Sequence, residues 1–317
     1  MNKEISIHTP KRPSLIRADS KAFTDWMSGL VAGLVSVTAC APLDLARTRQ
    51  MLMSHAKSHI QYGGLYNTIS KIYREEGIRA LYQGYRVSAV GVPVFNSLYF
   101  CLFYKFNEFF SKTDSSQDKR RVGEIMSAIT TGVICNTITN PLWVVKTRVQ
   151  SQYLYSEKHY GSITASLRRI YTFEGFGALY KGLLASYIGI LHPTILYPLY
   201  EGVKRQIKIY KGDTNHFDHF GASMVAKSIA TVLTYPHVIL RTRLMDSRDS
   251  KIRTGNSSNS EWQQTKKFIQ DTWRKEGVRG FYSGLRSDLA RSLPANSLTF
   301  VVFEAMKQQF EVSSKSF

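Results

Sequence analysis

The sequence predicts an all-α membrane protein with six transmembrane helices in three tandem repeats of about 100 residues and short amphipathic helices between the paired spans. Three observations predict it. The motif P-x-x-x-x-[KR]-T-R occurs at Pro42 to Arg49, Pro141 to Arg148 and Pro236 to Arg243. A second motif, E-G-x-x-x-x-Y-x-G, follows at Glu76 to Gly84, Glu174 to Gly182 and Glu276 to Gly284. Apolar stretches of roughly 20 residues, enough to cross the hydrocarbon core of a bilayer, precede each first motif and follow each second.

The three prolines lie 99 and 95 residues apart. Two motifs repeated in fixed order at one period mark internal duplication, which overrides the two soluble domains that 317 residues would otherwise suggest. The six apolar stretches cover about 23–45, 85–104, 122–145, 183–200, 219–240 and 285–303. Small residues at or near helical spacing stud the first, third and fifth: Gly29 and Gly33, Ala128 and Gly132, Ser223 and Ala226. Close helix packing is expected there. Pro42, Pro141 and Pro236 sit inside these spans, and each removes a backbone hydrogen bond and kinks its helix. Between the motifs, Tyr66 to Glu76, Ser162 to Phe173 and Gln264 to Lys275 are amphipathic and end at E-G, a helix stop signal.

Hydrophobic residues make up 43% of the chain and its mean hydropathy is only −0.20, as a polar interior between the spans would give. The net charge of +19 favours anionic partners: nucleic acid, lipid or small molecules. A soluble helical solenoid with a nucleic-acid face is the competing reading. Against it, Lys227, Asp288, Arg291 and His192 sit alone inside apolar stretches, where ionisable groups mark a transport pathway. Cys40, Cys101 and Cys135 have no metal or redox spacing. Residues 1–21 are basic and lack the apolar core of a secretory signal. No nucleophile–base constellation, phosphate loop or metal motif is present, so neither an enzyme nor a bound cofactor is expected.

These residues resemble the mitochondrial carrier family, whose repeat reads P-x-[DE]-x-x-[KR]-x-[KR], then [DE]-G, then an aromatic, a basic residue and glycine. The resemblance covers residues 22–310, as repeats 22–112, 120–208 and 217–310, between a basic N-terminal tail (1–21) and a C-terminal tail (311–317). It implies a pseudo-threefold six-helix barrel with its short helices on the matrix side. A single central site would open alternately to either side as two ion-pair gates close in turn. A multi-pass protein of the mitochondrial inner membrane, working as a monomer beside anionic lipid such as cardiolipin, follows from the resemblance alone.

By the same resemblance the matrix gate takes its bases from Arg47, Lys146 and Arg241, but the acid positions hold Asp44, Trp143 and Val238. Asp44 would pair with Lys146, leaving two unpaired cations and a weak gate. The glutamine brace survives only as Gln150, with Met51 and Met245 at the matching positions. The cytoplasmic gate is matched by Glu201 and Lys204 and by Glu304 and Lys307, with Glu201 expected to pair with Lys307.

Family contact positions fall on Gly91, Gly189 with Ile190, and Arg291. Arg291, an ion in an apolar span, suits a phosphate or carboxylate and is the expected substrate anchor. Gly189-Ile190 resembles the pair that nucleotide carriers place against a base. From closing glycine to gate acid there are 19 residues in repeat two and 20 in repeat three, which leaves the fourth-helix assignment open by one. Lys227 is either a phosphate contact or a snorkelling side chain. His192 and Asn96 either hydrogen-bond a base or sugar or are packed polar groups. Trp143 and the strings Met224 to Lys227 and Tyr235 to His237 are similar to the branch that carries NAD, pyrimidine nucleotides, flavin or folate. The implied function is exchange of an anionic, phosphate-bearing nucleotide-type metabolite. The alternative is a carrier-fold ion leak or membrane adaptor.

Overall fold

The computed structural model describes residues 15–53, 62–111, 117–155, 160–212, 216–248 and 261–313. The expected tails lie largely outside them. The long helices are α1 (Leu15–Leu52), α3 (Tyr85–Ser111), α4 (Gln117–Ser151), α8 (His216–Asp246) and α10 (Leu285–Ser313). The fourth span is two pieces, α6 (Leu183–Ile188) and α7 (His192–Lys211), joined by a 3₁₀ turn at Gly189–Leu191. Short helices α2 (Leu65–Glu76), α5 (Ile163–Glu174) and α9 (Glu261–Phe281) lie between the motifs of their repeats. Within α9 the chain breaks from helical geometry at Gly277. The long helices outrun the apolar stretches at both ends, because hydropathy marks only the hydrocarbon-crossing part while backbone hydrogen bonding continues into the polar motifs.

Among the described residues, four segments are long and apolar enough to cross a membrane: Met27–Leu52, Ile78–Phe110, Phe176–Lys211 and Asp218–Asp246. The other two long helices, α4 and α10, have 35 and 29 residues and carry more polar side chains. Large apolar residues such as Val94, Phe100, Ile129, Ile138, Ile195, Val225 and Leu233 are exposed along the long helices, as a lipid-facing surface requires. Small residues at four-residue spacing are buried instead: Ser28, Ala32, Ser36 and Cys40 on α1; Ser127, Thr131, Cys135 and Thr139 on α4; Ala222, Ala226 and Ala230 on α8. This corrects the expected packing residues on α1, where Gly29 is exposed and the buried face lies one position away. Ser127 and Thr139 serve as small residues here because their hydroxyls return to the helix, Ser127 to the Gly123 carbonyl and Thr139 to the Cys135 carbonyl, both at 2.7 Å.

The chain divides into two compact units, Met1–Ser36 with Asn296–Phe317, and Val37–Ala295. The first contains the opening part of α1 and the closing part of α10. Within the second, α3 packs on α4 and α7 on α8, and the two motifs of each repeat are joined by a buried ion pair. The last arginines of the first motif, Arg49, Arg148 and Arg243, are almost wholly buried. They meet the glutamates of the second motif, Glu76, Glu174 and Glu276, through both guanidinium nitrogens. Each Nε then donates to a backbone carbonyl of another repeat: Arg49 to Gln150 (3.1 Å), Arg148 to Met245 (3.2 Å) and Arg243 to Met51 (3.1 Å). The spacing of the motifs is thereby explained: one arginine closes its own repeat and fastens it to the next.

The closing glycines lie on the same junctions. Gly182 has φ +76, and a methyl group there would come 3.0 Å from the Arg241 carbonyl oxygen and 3.1 Å from Met245 Cγ. Left-handed backbone alone costs a residue with a Cβ about 1–2 kcal/mol. Gly182→Ala is expected to lower the melting temperature in detergent by several degrees. Gly177→Ala, at an exposed site with nothing within 4 Å, should not.

Candidate functional site

The ends of α1, α4 and α8 and the start of α10 bring the expected gate residues together. Asp44 Oδ2 lies 2.8 Å from Lys146 Nζ and accepts from Gln150 Nε2 at 3.0 Å. Asp44 Oδ1 lies 3.7 Å from Arg291 Nε and 3.9 Å from Arg47 Nη1. One carboxylate thus faces four donor side chains.

Arg47 is not left unpaired. Its Nε lies 2.5 Å from Asp288 Oδ1, and Arg291 Nη2 is 3.6 Å from the same oxygen. The expectations of two unpaired gate cations and of solitary Asp288 and Arg291 are therefore corrected. Asp288 and Arg291 are three residues apart on one helix, so their side chains share a face, and α10 brings that face to the end of α1. The signal was in the sequence as an acid one turn before Arg291.

Arg241 has no carboxylate partner among the described residues. Its guanidinium stands 6.0 Å from the Trp143 ring centroid, and Lys146 Nζ stands 5.5 Å from the same ring. The tryptophan at a gate-acid position meets two of the three gate bases through its π face. The contacts run in a ring: Asp44–Lys146 joins repeats one and two, Arg47–Asp288 joins repeats one and three, and Trp143–Arg241 joins repeats two and three. Met51 and Met245, where the glutamine brace is missing, are buried against the closing glycines, as Gln150 is against Gly84.

The expected substrate contacts surround this cluster unevenly. Gly91 is buried, with Trp143 Cη2 3.9 Å from where a methyl would project. Gly189 has room taken by His237, whose Nε2 would be 2.9 Å from a methyl there. His237 Nδ1 donates to the Thr234 carbonyl, and Thr234 Oγ1 is 2.8 Å from His192 Nδ1. Ile190 packs on Gly132 of α4, so in this conformation its side chain serves a helix contact. Lys227 is partly buried and Asn96 is exposed.

A 3₁₀ turn at Gly189–Leu191 lies in repeat two, where the count from closing glycine to expected gate acid is one residue shorter than in repeat three. A 3₁₀ turn rises about 2.0 Å per residue against about 1.5 Å for an α-helix. Three such residues at Gly189–Leu191 recover roughly one residue of length. Of the residues expected at the cytoplasmic gate, Glu201 and Lys204 lie on one helix with Oε1 and Nζ 4.0 Å apart. The side chains of Glu304 and Lys307 lie outside the described residues, and with them the expected Glu201–Lys307 pair. Among the described residues no three His, Cys, Asp or Glu side chains converge as metal ligands.

The model of the mitochondrial carrier protein family matches residues 18–114, 117–211 and 212–314. This chain belongs to the mitochondrial carrier family. It is 36% identical over 295 residues to the mitochondrial nicotinamide adenine dinucleotide transporter 1 of Saccharomyces cerevisiae, covering 90% of this chain and 76% of that protein. The chloroplastic nicotinamide adenine dinucleotide transporter 1 of Arabidopsis thaliana is 33% identical, with 87% and 88% covered. The chloroplastic folate transporter 1 of the same plant is 31% identical, with 87% and 92% covered. The carrier is an all-α, multi-pass membrane protein of three repeats, and its gate departs from the family signature at Trp143 and Val238.

Proposed function

We propose that this carrier moves an anionic, phosphate-bearing nucleotide-type metabolite of the NAD or folate class across the mitochondrial inner membrane, by alternating access through one central site anchored on Arg291. The observation that carries the reading is the state of Arg291. It is an arginine in a membrane helix, with its side chain 26% exposed and both carboxylate neighbours beyond 3.5 Å. A planar guanidinium with loosely held partners has donors to offer an incoming phosphate. The relatives named as nicotinamide adenine dinucleotide and folate transporters support the substrate class. Lys227 extends the positive region towards a second phosphate, while His192, His237 and Asn96 supply hydrogen-bonding groups for a sugar or base. The prolines Pro42, Pro141 and Pro236, inside α1, α4 and α8, are where those helices flex. Glu201, Lys204, Glu304 and Lys307 form the opposite gate. The carrier works as a monomer with anionic lipid, cardiolipin above all, at its matrix-side surface.

The test is a melting-temperature screen of the detergent-solubilised carrier against NAD, pyrimidine nucleotides, adenine nucleotides, coenzyme A, flavin mononucleotide, folate and keto acids. A ligand at 100 times its Kd adds about 2.7 kcal/mol to the folded state. One nucleotide-type compound is expected to raise the melting temperature by several degrees. Stabilisation by keto acids alone, or by none of the set, overturns the assignment.

A further inference from the structure

Asp288 stands among the expected gate residues but lies outside the repeat motif. The family signature places gate acids two residues after each motif proline, and this chain keeps one of them, Asp44. Asp288 lies instead in the first turn of α10, directly after the second motif of repeat three. It is 5% exposed, so its charge needs compensation where it stands. That compensation is Arg47 at 2.5 Å, the gate base of repeat one, with Arg291 at 3.6 Å.

We propose that Asp288 is the second acid of the inner gate and that, together with Asp44, it competes with the substrate's anionic group for Arg291. The competition rests on the carrier reading above; the gate pairing does not. Two carboxylates, Asp44 and Asp288, face three cations, Arg47, Lys146 and Arg291, leaving one positive charge over. Arg291 is the most weakly held, since Lys146 and Arg47 have carboxylate oxygens at 2.8 and 2.5 Å while its own lie at 3.7 and 3.6 Å. An anion approaching Arg291 takes it from both acids and leaves each with one partner fewer. Binding thereby loosens the two ion-pair junctions of the gate. The Trp143–Arg241 junction has no carboxylate and does not respond to that charge.

Two measurements test this on the full chain. The first is the ligand-free melting temperature of Arg47→Gln, Asp288→Asn and the double variant in detergent. Each single change is expected to lower it by several degrees, and the double change by no more than the larger single one. Additive losses would show that the two residues act independently and would overturn the gate pairing. The second is exchange of labelled NAD in liposomes. Asp288→Asn is expected to lower the half-saturation concentration several-fold, because Arg291 loses a competitor. It should lower the maximal rate at least tenfold, because the gate closes less often. A purely structural role reduces the active fraction and leaves half-saturation where it was, so an unchanged half-saturation overturns the competition. If the wild-type chain stabilises and exchanges none of the nucleotides, the substrate reading fails while the melting cycle still decides the pairing.

Discussion

Arg148→Met is expected to destabilise the folded carrier by about 3–5 kcal/mol, because it leaves the buried Glu174 carboxylate without its partner. The same change removes hydrogen bonds from Arg148 to the Met245 and Ser247 carbonyls, at 3.2 and 3.0 Å, which fasten repeat two to repeat three. Lys181 remains 3.4 Å from Glu174 and moderates the loss. Burial by itself would raise the Glu174 carboxyl, but hydrogen bonding and charge from Arg148, helped by Lys181, hold it below its ordinary value of 4.5. The stabilisation is therefore fully present above that ordinary value and is lost as pH falls through the lowered folded value. In the variant the unpaired carboxylate gains from protonation. The gap in melting temperature between wild type and Arg148→Met should be widest at neutral pH and narrow below about pH 4.5. A gap that widens on acidification would show that the arginine does not stabilise through this carboxylate.

Arg291→Ala is expected to abolish nucleotide uptake while the protein still folds. Removing one member of a desolvated, charge-assisted contact costs about 2–5 kcal/mol of binding, which corresponds to roughly a 30-fold to several-thousand-fold loss. The ligand-induced rise in melting temperature should disappear with the transport. Arg291→Lys keeps the charge but not the two-pronged donor geometry, and should fall between wild type and alanine. Folding itself tolerates the change because Arg47 and Lys146 still hold Asp288 and Asp44. Uptake that survives Arg291→Ala in full would remove Arg291 from the substrate site.

The residues that a reader of the sequence can pair differ from those that need coordinates by one physical criterion: whether the partner is set by helix periodicity or by the meeting of separate helices. The repeat, the six helices and the stops at Glu76 and Glu174 follow from periodicity and from glycines that alone accept positive φ, as Gly77 and Gly175 do at 83° and 87°. Arg291 stands out in the sequence as a candidate anchor because an ion in an apolar stretch is costly without a purpose. The small-residue stripe was misplaced by one on α1, since glycine draws attention while serine and cysteine at positions 28, 36 and 40 do the packing.

By itself, then, the sequence determined the family, the all-α architecture, the threefold repeat and the candidate charges. Only the tertiary structure decided who meets whom. Arg49, Arg148 and Arg243 reach both their own repeat's glutamate and another repeat's carbonyl. Arg47 finds its acid 241 positions away in Asp288, and Trp143 lies beside two cations where the family pattern calls for a carboxylate. A side chain's neighbours across a helix junction depend on rotation and axial position of both helices. A shift of one residue turns an α-helix by about 100°, so no local pattern in the chain fixes them.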